Sequence, residues 1–208
     1  MRKIRKFKIS LHYKEILRRL KSAEVDLNAA GFTSESALAV FISSLHQAAD
    51  TGVVYEFNDG SCLELASAGF QHQGPFSLCV ITLGKEIENQ IACLTNIGQI
   101  TVANIAVYEF LRTALNFVVE LLKEEGQKEN LITQNFELLS APVFSYGTEP
   151  KFLREAKRLD TSLVKKALPD LLKRVEAQKI NVSFENNALN PKATVAFVIP
   201  WLKKKGKK

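Results

Sequence analysis

Residues 76–125 decide the fold of this chain, and they read FSLCVITLGKEIENQIACLTNIGQITVANIAVYEFLRTALNFVVELLKEE. Residues 76–83 are almost all apolar and predict a buried β-strand, which Gly84 ends. Residues 85–97 carry apolar side chains at positions 87, 91 and 94, a spacing typical of an amphipathic helix. Residues 99–125 predict a second, long helix that is apolar on nearly every face, and such a helix is buried inside a domain.

So large a buried helix needs a sheet and further helices around it, and the rest of the chain offers candidates. Strands are predicted at residues 6–11, 53–57, 62–66, 180–184 and 194–201. Helices are predicted at residues 13–20, from Ser34 to about residue 49, at 152–159 and at 161–178, with a kink or a new start at Pro169. Asp59-Gly60 lies between two of the strands and is typical of a hairpin turn.

The order of these elements predicts the fold class and the domain organisation. Strands and helices follow one another without a regular βαβ alternation, which favours an α+β fold with a mainly antiparallel, twisted sheet packed by helices. Residues 129–147 show no clear period and are predicted to be irregular. We expect a single domain over residues 1–202 and a basic, disordered tail over residues 203–208.

Composition predicts a soluble cytoplasmic protein. The chain has 208 residues, 46% of them apolar, and no apolar run approaches the roughly 20 residues of a membrane-spanning helix. The basic start is not followed by the apolar core of a secretory signal. Three cysteines, Cys62, Cys79 and Cys93, form an odd set without close spacing, so we interpret them as reduced thiols in the core.

The net charge of +6 is concentrated at the two ends. Residues 1–21 hold nine Lys or Arg and one Glu, and residues 203–208 hold five Lys, whereas the intervening chain is net acidic. This distribution disfavours a uniformly basic nucleic-acid-binding surface. It is compatible with solvated ends that aid solubility and with ends that contact an anionic partner.

No complete catalytic motif is present in the sequence. The three histidines lack a second ligand at metal spacing, and there is no nucleophile elbow, Walker loop or dinucleotide-binding glycine pattern. The turn from Thr82 to Gly84 could present free backbone amides to an anion, although an ordinary turn explains it equally. Phe144, Tyr146 and Trp201 could line a pocket or belong to the core.

Three segments suggest a family. Residues 80–84, VITLG, precede an acidic helix start with Glu86 and Glu88 and then the long helix containing Ala-Asn-Ile at 103–105. Residues 146–150 read YGTEP, and residues 185–195 read ENNALNPKATV. In order and spacing these segments resemble the activation domain of cobalamin-dependent methionine synthase and its standalone relatives, over most of residues 76–200.

The resemblance implies a helmet-like α+β domain that serves as an accessory module to a corrinoid protein or cobalamin-dependent methyltransferase. In the family, S-adenosylmethionine is bound and supplies the methyl group that is transferred to cobalamin during reductive methylation, and the cobalamin is held by the partner. Neither a membrane nor nucleic acid is an expected partner, and no metal ligand is implied. The implied ligand-binding residues are Thr82, Gly84, Ser145, Tyr146, Gly147, Glu185, Asn186 and Thr194.

The sequence departs from the family pattern at residues that bear on this activity. Ala141 stands where the family has the arginine that meets the ligand carboxylate, and Phe144-Ser145 replaces a Pro-Gly pair. Val107, Phe110 and Leu111 occupy positions that are polar or small in the family. Two alternatives therefore stay open: a small-molecule enzyme with a remodelled pocket around Tyr146 and Glu185, and a binder of anionic surfaces through the basic ends.

Overall fold

The computed structural model describes residues 1–60, 62–144, 146 and 149–204. Its strands are β1 (Arg2–Arg5), β2 (Gly52–Asn58), β3 (Phe76–Thr82), β4 (Leu131–Thr133), β5 (Glu137–Ser140), β6 (Lys157–Arg158), β7 (Ser183–Glu185), β8 (Ala188–Asn190) and β9 (Thr194–Lys203). Its helices are α1 (Tyr13–Ser22), α2 (Glu35–Gln47), α3 (Leu63–Ser67), α4 (Glu86–Ala92), α5 (Ile97–Lys128), α6 (Lys151–Arg154) and α7 (Thr161–Arg174). A short 3₁₀ helix covers Ala177–Ile180.

The main sheet has the order β1-β2-β3-β9-β5-β6, with β4 paired to the far end of β9. The pairs formed by β1, β2, β3, β9, β4 and β5 are antiparallel, and β5 pairs with β6 in parallel. All seven residues of β3 are buried, so the central strands are covered on both faces. The prediction of an α+β fold with a mainly antiparallel sheet is confirmed.

The long helix predicted from its apolar surface is α5, and it runs three residues further than predicted. The Asn96 carboxamide caps its first turn by accepting hydrogen bonds from the backbone N–H groups of Gly98 and Gln99. Every residue from Val102 to Leu111 is buried, and the helix packs against α1, α2 and strands β3, β4 and β9. Helix α5 is therefore the centre of the core, as its sequence predicts.

Three predictions in the first third of the chain are wrong. The first strand is Arg2–Arg5 rather than 6–11, and the backbone of residue 7 is instead held by the Thr51 hydroxyl, which donates to the Phe7 carbonyl at 2.5 Å. The predicted strand at 62–66 is helix α3, with Leu65 in the core. No hairpin forms at Asp59-Gly60 because β1 and β3 already pair with both edges of β2.

Two predictions after α5 are also wrong. The chain expected to be irregular contains β4 and β5, which pair with β9. The helix expected at 152–159 ends at Arg154, and Lys157 and Arg158 form β6. Pairing with β5 overrides helix propensity there, because the Leu159 amide donates to the Leu138 carbonyl and the Lys157 ammonium lies 2.7 Å from the Glu137 carboxylate.

The C-terminal third differs from prediction in its details. Helix α7 passes through Pro169 without a new start and ends at Arg174. The strand predicted at 180–184 is the shorter β7, which forms a two-stranded hairpin with β8. Strand β9 continues to Lys203, one residue into the predicted tail, and the Lys204 amide donates to the Asn130 carbonyl at 2.8 Å. Residues 205–208 lie outside the described residues.

The cysteines fit the predicted core only in part. All three are free; Cys62 and Cys79 are buried, whereas Cys93 is exposed, so the prediction is wrong for Cys93. Complete burial raises the pKa of the Cys79 thiol well above its usual range. Within the described residues, none of the helices combines the length and the hydropathy needed to cross a membrane.

Among the described residues, Arg2 at the start of β1 and Lys203 at the end of β9 lie towards the same end of the sheet. Arg2 pairs with Tyr55 at the start of β1, while β9 ends at Lys203 beside β4. Met1 and Arg2 line a cavity of about 250 Å³ together with Trp201 of β9 and Lys128 of α5. Glu125 and Glu129 line the same cavity, and Glu125 pairs with Arg2, so the positive charge there is partly balanced.

Helix α7 gives a prediction on the pH dependence of stability. The Asp160 carboxylate caps the helix by accepting hydrogen bonds from the Ser162 hydroxyl and from the backbone amides of Ser162 and Leu163, and these contacts lower its pKa. Because the folded-state pKa is depressed, the stabilisation is complete above the unfolded pKa of about 3.9 and is lost as the pH falls through the folded value.

Asp160→Asn keeps the capping oxygen but does not titrate. We therefore expect the midpoint of urea unfolding to fall less for this variant than for the wild type between about pH 6 and about pH 3. Asp170→Asn removes a carboxylate from the same helix without touching the cap and should follow the wild type. Equal acid dependence in all three proteins would contradict this account of the cap.

Candidate functional site

Two adjoining cavities lie on either side of residues 141–144. The first has a volume of about 330 Å³ and lies between β5, α7 and the β7–β8 hairpin, and the second has a volume of about 340 Å³ and lies between α4 and α5. Val143 and Lys192 line both cavities, and Tyr146 lines the second. The segment predicted to form the ligand pocket is therefore placed at the junction of two concave surfaces.

The first cavity has apolar walls and a few polar groups. Leu138, Val164 and Leu189 belong to its walls, which is the usual character of a small-molecule site. Its cationic side chains are Arg158, Lys165 and Lys192. Arg158 is held by the Glu149 carboxylate, whereas no carboxylate of the described residues forms an ion pair with Lys165 or Lys192. The cavity thus offers two ammonium groups to an anion.

Helix α5 fixes the segment between the cavities. The Asn104 carboxamide, which is 3% exposed, donates from Nδ2 to the Tyr146 carbonyl at 2.8 Å. The Tyr108 hydroxyl donates to the Pro142 carbonyl at 3.2 Å, and its ring meets the Phe144 ring edge to face at 4.9 Å. Buried hydrogen bonds of this kind hold a loop in one conformation, so the shape of the site is set by the core helix.

Two of the predicted site residues join β3 to β9 beside the first cavity. Thr194 lines this cavity, and its hydroxyl donates to Thr82 Oγ1 at 2.9 Å. Both residues are buried, with exposures of 0% and 1%. Thr82 does not line either cavity in the described structure; instead it orients the Thr194 hydroxyl. Thr82 is therefore a positioning residue, and Thr194 is the one that could meet a ligand.

The turn at Gly84 does not form the anion site that its sequence allowed. The Gly84 amide donates to Thr82 Oγ1 at 3.0 Å, and the Leu83 amide donates to the Ala193 carbonyl at 2.9 Å. Gly84 has a φ of +81°, and a Cβ there would lie 2.9 Å from the carbonyl oxygen of Asp50. The glycine is required for the turn itself, and the two amides are already used.

Glu185 and Asn186 belong to the turn of the β7–β8 hairpin rather than to a pocket. Asn186 and Asn187 both have positive φ, at 51° and 62°, as a two-residue type I′ turn requires. The Glu185 carboxylate accepts hydrogen bonds from the Ser183 hydroxyl at 2.5 Å and from Asn190 Nδ2 at 3.1 Å, and these contacts lower its pKa. Both donors belong to the hairpin, so the Glu185 carboxylate stabilises the hairpin.

Tyr146 and Glu185 do not form a common site in the described structure. Tyr146 is 41% exposed and lines the second cavity, whereas neither cavity is lined by Glu185 or Asn186. The geometry therefore gives no support to an enzyme whose reaction is carried by this pair. Ser145 and Gly147, also predicted as ligand residues, lie outside the described residues.

Three residues that shape the site were not predicted from the sequence to be ligand-binding residues. Lys192 lines both cavities, and the Glu88 carboxylate fixes the backbone next to it by accepting a hydrogen bond from the Ala193 amide at 2.8 Å. Asn104 could have been found, since it is a polar residue in an otherwise apolar part of α5. Glu88 looked like an ordinary first-turn carboxylate, and nothing in its spacing indicated the contact with β9.

The departures from the family pattern have visible consequences. Val107, Phe110 and Leu111 are all buried in the core around α5, and Phe110 meets the His46 ring edge to face at 5.2 Å. Ala141 lines the first cavity. Val107, Phe110 and Leu111 therefore contribute to the core. The cationic side chains of the first cavity are Arg158, Lys165 and Lys192.

The histidines make ordinary hydrogen bonds. His46 Nε2–H donates to the Ile9 carbonyl at 3.0 Å, and His72 Nε2–H donates to the Pro75 carbonyl at 2.9 Å. Across the part of the chain that the structure describes, no three His, Cys, Asp or Glu side chains come together as a metal site would require.

Fold and site together define an α+β protein with a pair of adjoining cavities of small-molecule size. No protein-family model matches the chain, and a search of curated proteins found no significant match.

Proposed function

We propose that this chain is an accessory, ligand-binding module of a cobalamin-dependent methyltransfer system. We propose that it binds S-adenosylmethionine in the two adjoining cavities beside residues 141–144. One observation carries the proposal: Tyr146 and Thr194, which the family resemblance singles out independently, line adjoining cavities that Lys192 connects. The two residues are 48 positions apart in the sequence, so their proximity is a property of the fold.

The chemistry of the cavities suits such a ligand. S-adenosylmethionine combines an aromatic base with an amino acid end that carries a carboxylate, and it needs apolar walls together with a few polar groups. Ala141 cannot meet the carboxylate, whereas the Lys192 ammonium lies on the same cavity. Lysine pairs with a carboxylate as a point charge, so this contact would lack the two-pronged geometry of an arginine.

The proposed role does not need a catalytic acid or base. S-adenosylmethionine, when bound, supplies an electrophilic methyl group, and the cobalamin of a partner corrinoid protein would accept it. The residues of this chain would bind and orient the ligand and exclude water from it, which is how positioning contributes to a group transfer. The hydrogen bonds from Tyr108 to the Pro142 carbonyl and from Asn104 to the Tyr146 carbonyl support such a role.

Calorimetric titration with S-adenosylmethionine tests the proposal. We expect the wild type to bind and Lys192→Gln to bind roughly tenfold more weakly or worse, since a charge-assisted contact of this kind contributes on the order of 1.5–3 kcal/mol. Lys192 is exposed, so its replacement should leave the fold intact. Lys166→Gln removes the same charge from the exposed face of α7 and should bind as the wild type does.

A second titration addresses the partner. A cobalamin-loaded corrinoid protein should bind the chain, and the heat should change when S-adenosylmethionine is present. If folded protein gave no heat with the ligand and none with the corrinoid protein, the proposed function would have to be abandoned. If Lys192→Gln and Lys166→Gln weakened ligand binding equally, the assignment of the cavities would be wrong while binding itself would stand.

A further inference from the structure

A further cavity, of about 240 Å³, lies where α1, α5 and α6 meet, and its lining is strongly cationic. Arg18 and Arg19 come from α1, and Lys151 and Arg154 come from α6. Glu149 is the one carboxylate in the described lining, and the guanidinium of Arg158 pairs with it. Four cations and one carboxylate thus line a small concave space, and carboxylates outside the lining pair with three of the four cations.

Arg19 is held in place by one buried carboxylate and one partly exposed carboxylate. Its Nε lies 3.0 Å from Oε2 of Glu109, which is 1% exposed, and 3.3 Å from Oε1 of Glu15. Both carboxylates meet the guanidinium on the side of Nε. Among the described residues, none accepts a hydrogen bond from the two terminal Nη nitrogens. These donors are left for a group in the cavity.

The other cations keep donors available as well. Arg18 is fixed by a two-pronged contact with Glu15, in which Nε and Nη2 lie 2.9 and 2.8 Å from the two carboxylate oxygens. Lys151 lies 3.6 Å from the exposed Glu155, and no carboxylate of the described residues pairs with Arg154. The site therefore combines the guanidinium groups of Arg18 and Arg19, which carboxylates orient, with the side chains of Lys151 and Arg154, which carboxylates hold weakly or not at all among the described residues.

We propose that this cavity binds the phosphate group of a small molecule. Guanidinium groups present parallel N–H donors that match the oxygens of phosphate, and lysine supplies a further point charge. A carboxylate carries a single negative charge and two acceptor oxygens, whereas a phosphate monoester carries about two charges and three acceptor oxygens, which suits the donors that Arg19, Arg154 and Lys151 keep available. The cavity is separate from the proposed S-adenosylmethionine site, because Tyr108 lies between it and Phe144.

The test uses inorganic phosphate as the probe and the full-length chain, with binding followed by calorimetry and by the amide signals of Ser22 and Ala23 in NMR spectra. Arg154→Gln and Lys151→Gln change exposed residues and should each weaken phosphate binding about tenfold. Lys173→Gln removes an equal charge from α7, away from the cavity, and should change phosphate binding by less than about twofold.

Three outcomes would overturn the proposal: no phosphate binding to folded wild-type protein, equal weakening by Lys173→Gln, or acetate binding as tightly as phosphate. The last two results would indicate attraction by overall charge or a preference for carboxylates. The phosphate test is independent of the proposed function, because the two ligands would occupy different cavities. Arg154→Gln should weaken phosphate binding and leave S-adenosylmethionine binding unchanged. Loss of phosphate binding with retained S-adenosylmethionine binding would support both assignments.

Discussion

Replacing Gly126 with alanine should destabilise the protein by about 1–3 kcal/mol, although alanine is normally favoured over glycine in a helix by about 1 kcal/mol. Gly126 lies near the end of α5, where a Cβ would stand 2.3 Å from Cζ3 of Trp201. The indole cannot easily move, because it is 2% exposed and its Nε1–H donates to the Ser77 hydroxyl at 2.9 Å. Steric overlap should therefore outweigh helix propensity.

Urea unfolding of Gly126→Ala, Trp201→Leu and the double variant separates the two effects. Trp201→Leu removes the ring atoms that the new methyl group would meet, at a cost of its own for the lost packing. In that background Gly126→Ala should be neutral or stabilising by up to about 1 kcal/mol. An increase in stability when Gly126→Ala is introduced into the wild type would contradict the close contact between Gly126 of α5 and Trp201 of β9.

Replacing Glu109 with glutamine should cost about 2–4 kcal/mol of folding free energy. The carboxylate is 1% exposed and sits between two arginines, with Arg112 Nε 2.9 and 3.0 Å from its two oxygens and Arg19 Nε 3.0 Å away. The contact with Glu109 raises the pKa of the Arg112 guanidinium. Glutamine keeps the volume but leaves Arg112 without its counter-ion and Arg19 with only Glu15 at 3.3 Å. We place the cost near the lower range because both arginines retain some contact with water.

Glu120→Gln is the matched control on the same helix. Glu120 pairs with Lys123 three residues on, but both side chains are exposed, so losing this pair should cost less than about 1 kcal/mol. Unfolding of the two variants should also be compared at high salt, where a difference that persists reflects burial. Equal stability of the two variants would contradict the view that Glu109 joins α1 to α5.

The sequence was sufficient where burial determines structure. Strand β3 and helix α5 were predicted closely, because segments with such apolar patterns have to be buried at the centre of a domain. Prediction failed at α3, β4, β5 and β6, which are short. Their state depends on long-range pairing: β4 and β5 pair with β9, and β6 exists only because β5 lies beside it.

The same distinction applies to the candidate site. Tyr146 and Thr194 were predicted as ligand residues and do line cavities, whereas Gly84, Glu185 and Asn186 serve turns. Glycine and Asn-rich stretches are ambiguous in a sequence, because tight turns and ligand loops use the same backbone freedom. The positions of Lys192 and Glu88 could not be predicted, since their roles arise from contacts across the fold.

The central claim is that S-adenosylmethionine binds in the cavities beside residues 141–146, and the most direct test is a titration of isotope-labelled protein followed by NMR. We predict that the largest changes in chemical shift fall on the described residues of 141–146 and on residues 192–194, and that Lys192→Gln reduces them at equal ligand concentration. Unchanged spectra at saturating S-adenosylmethionine, or changes confined to surfaces remote from both cavities, would contradict the account.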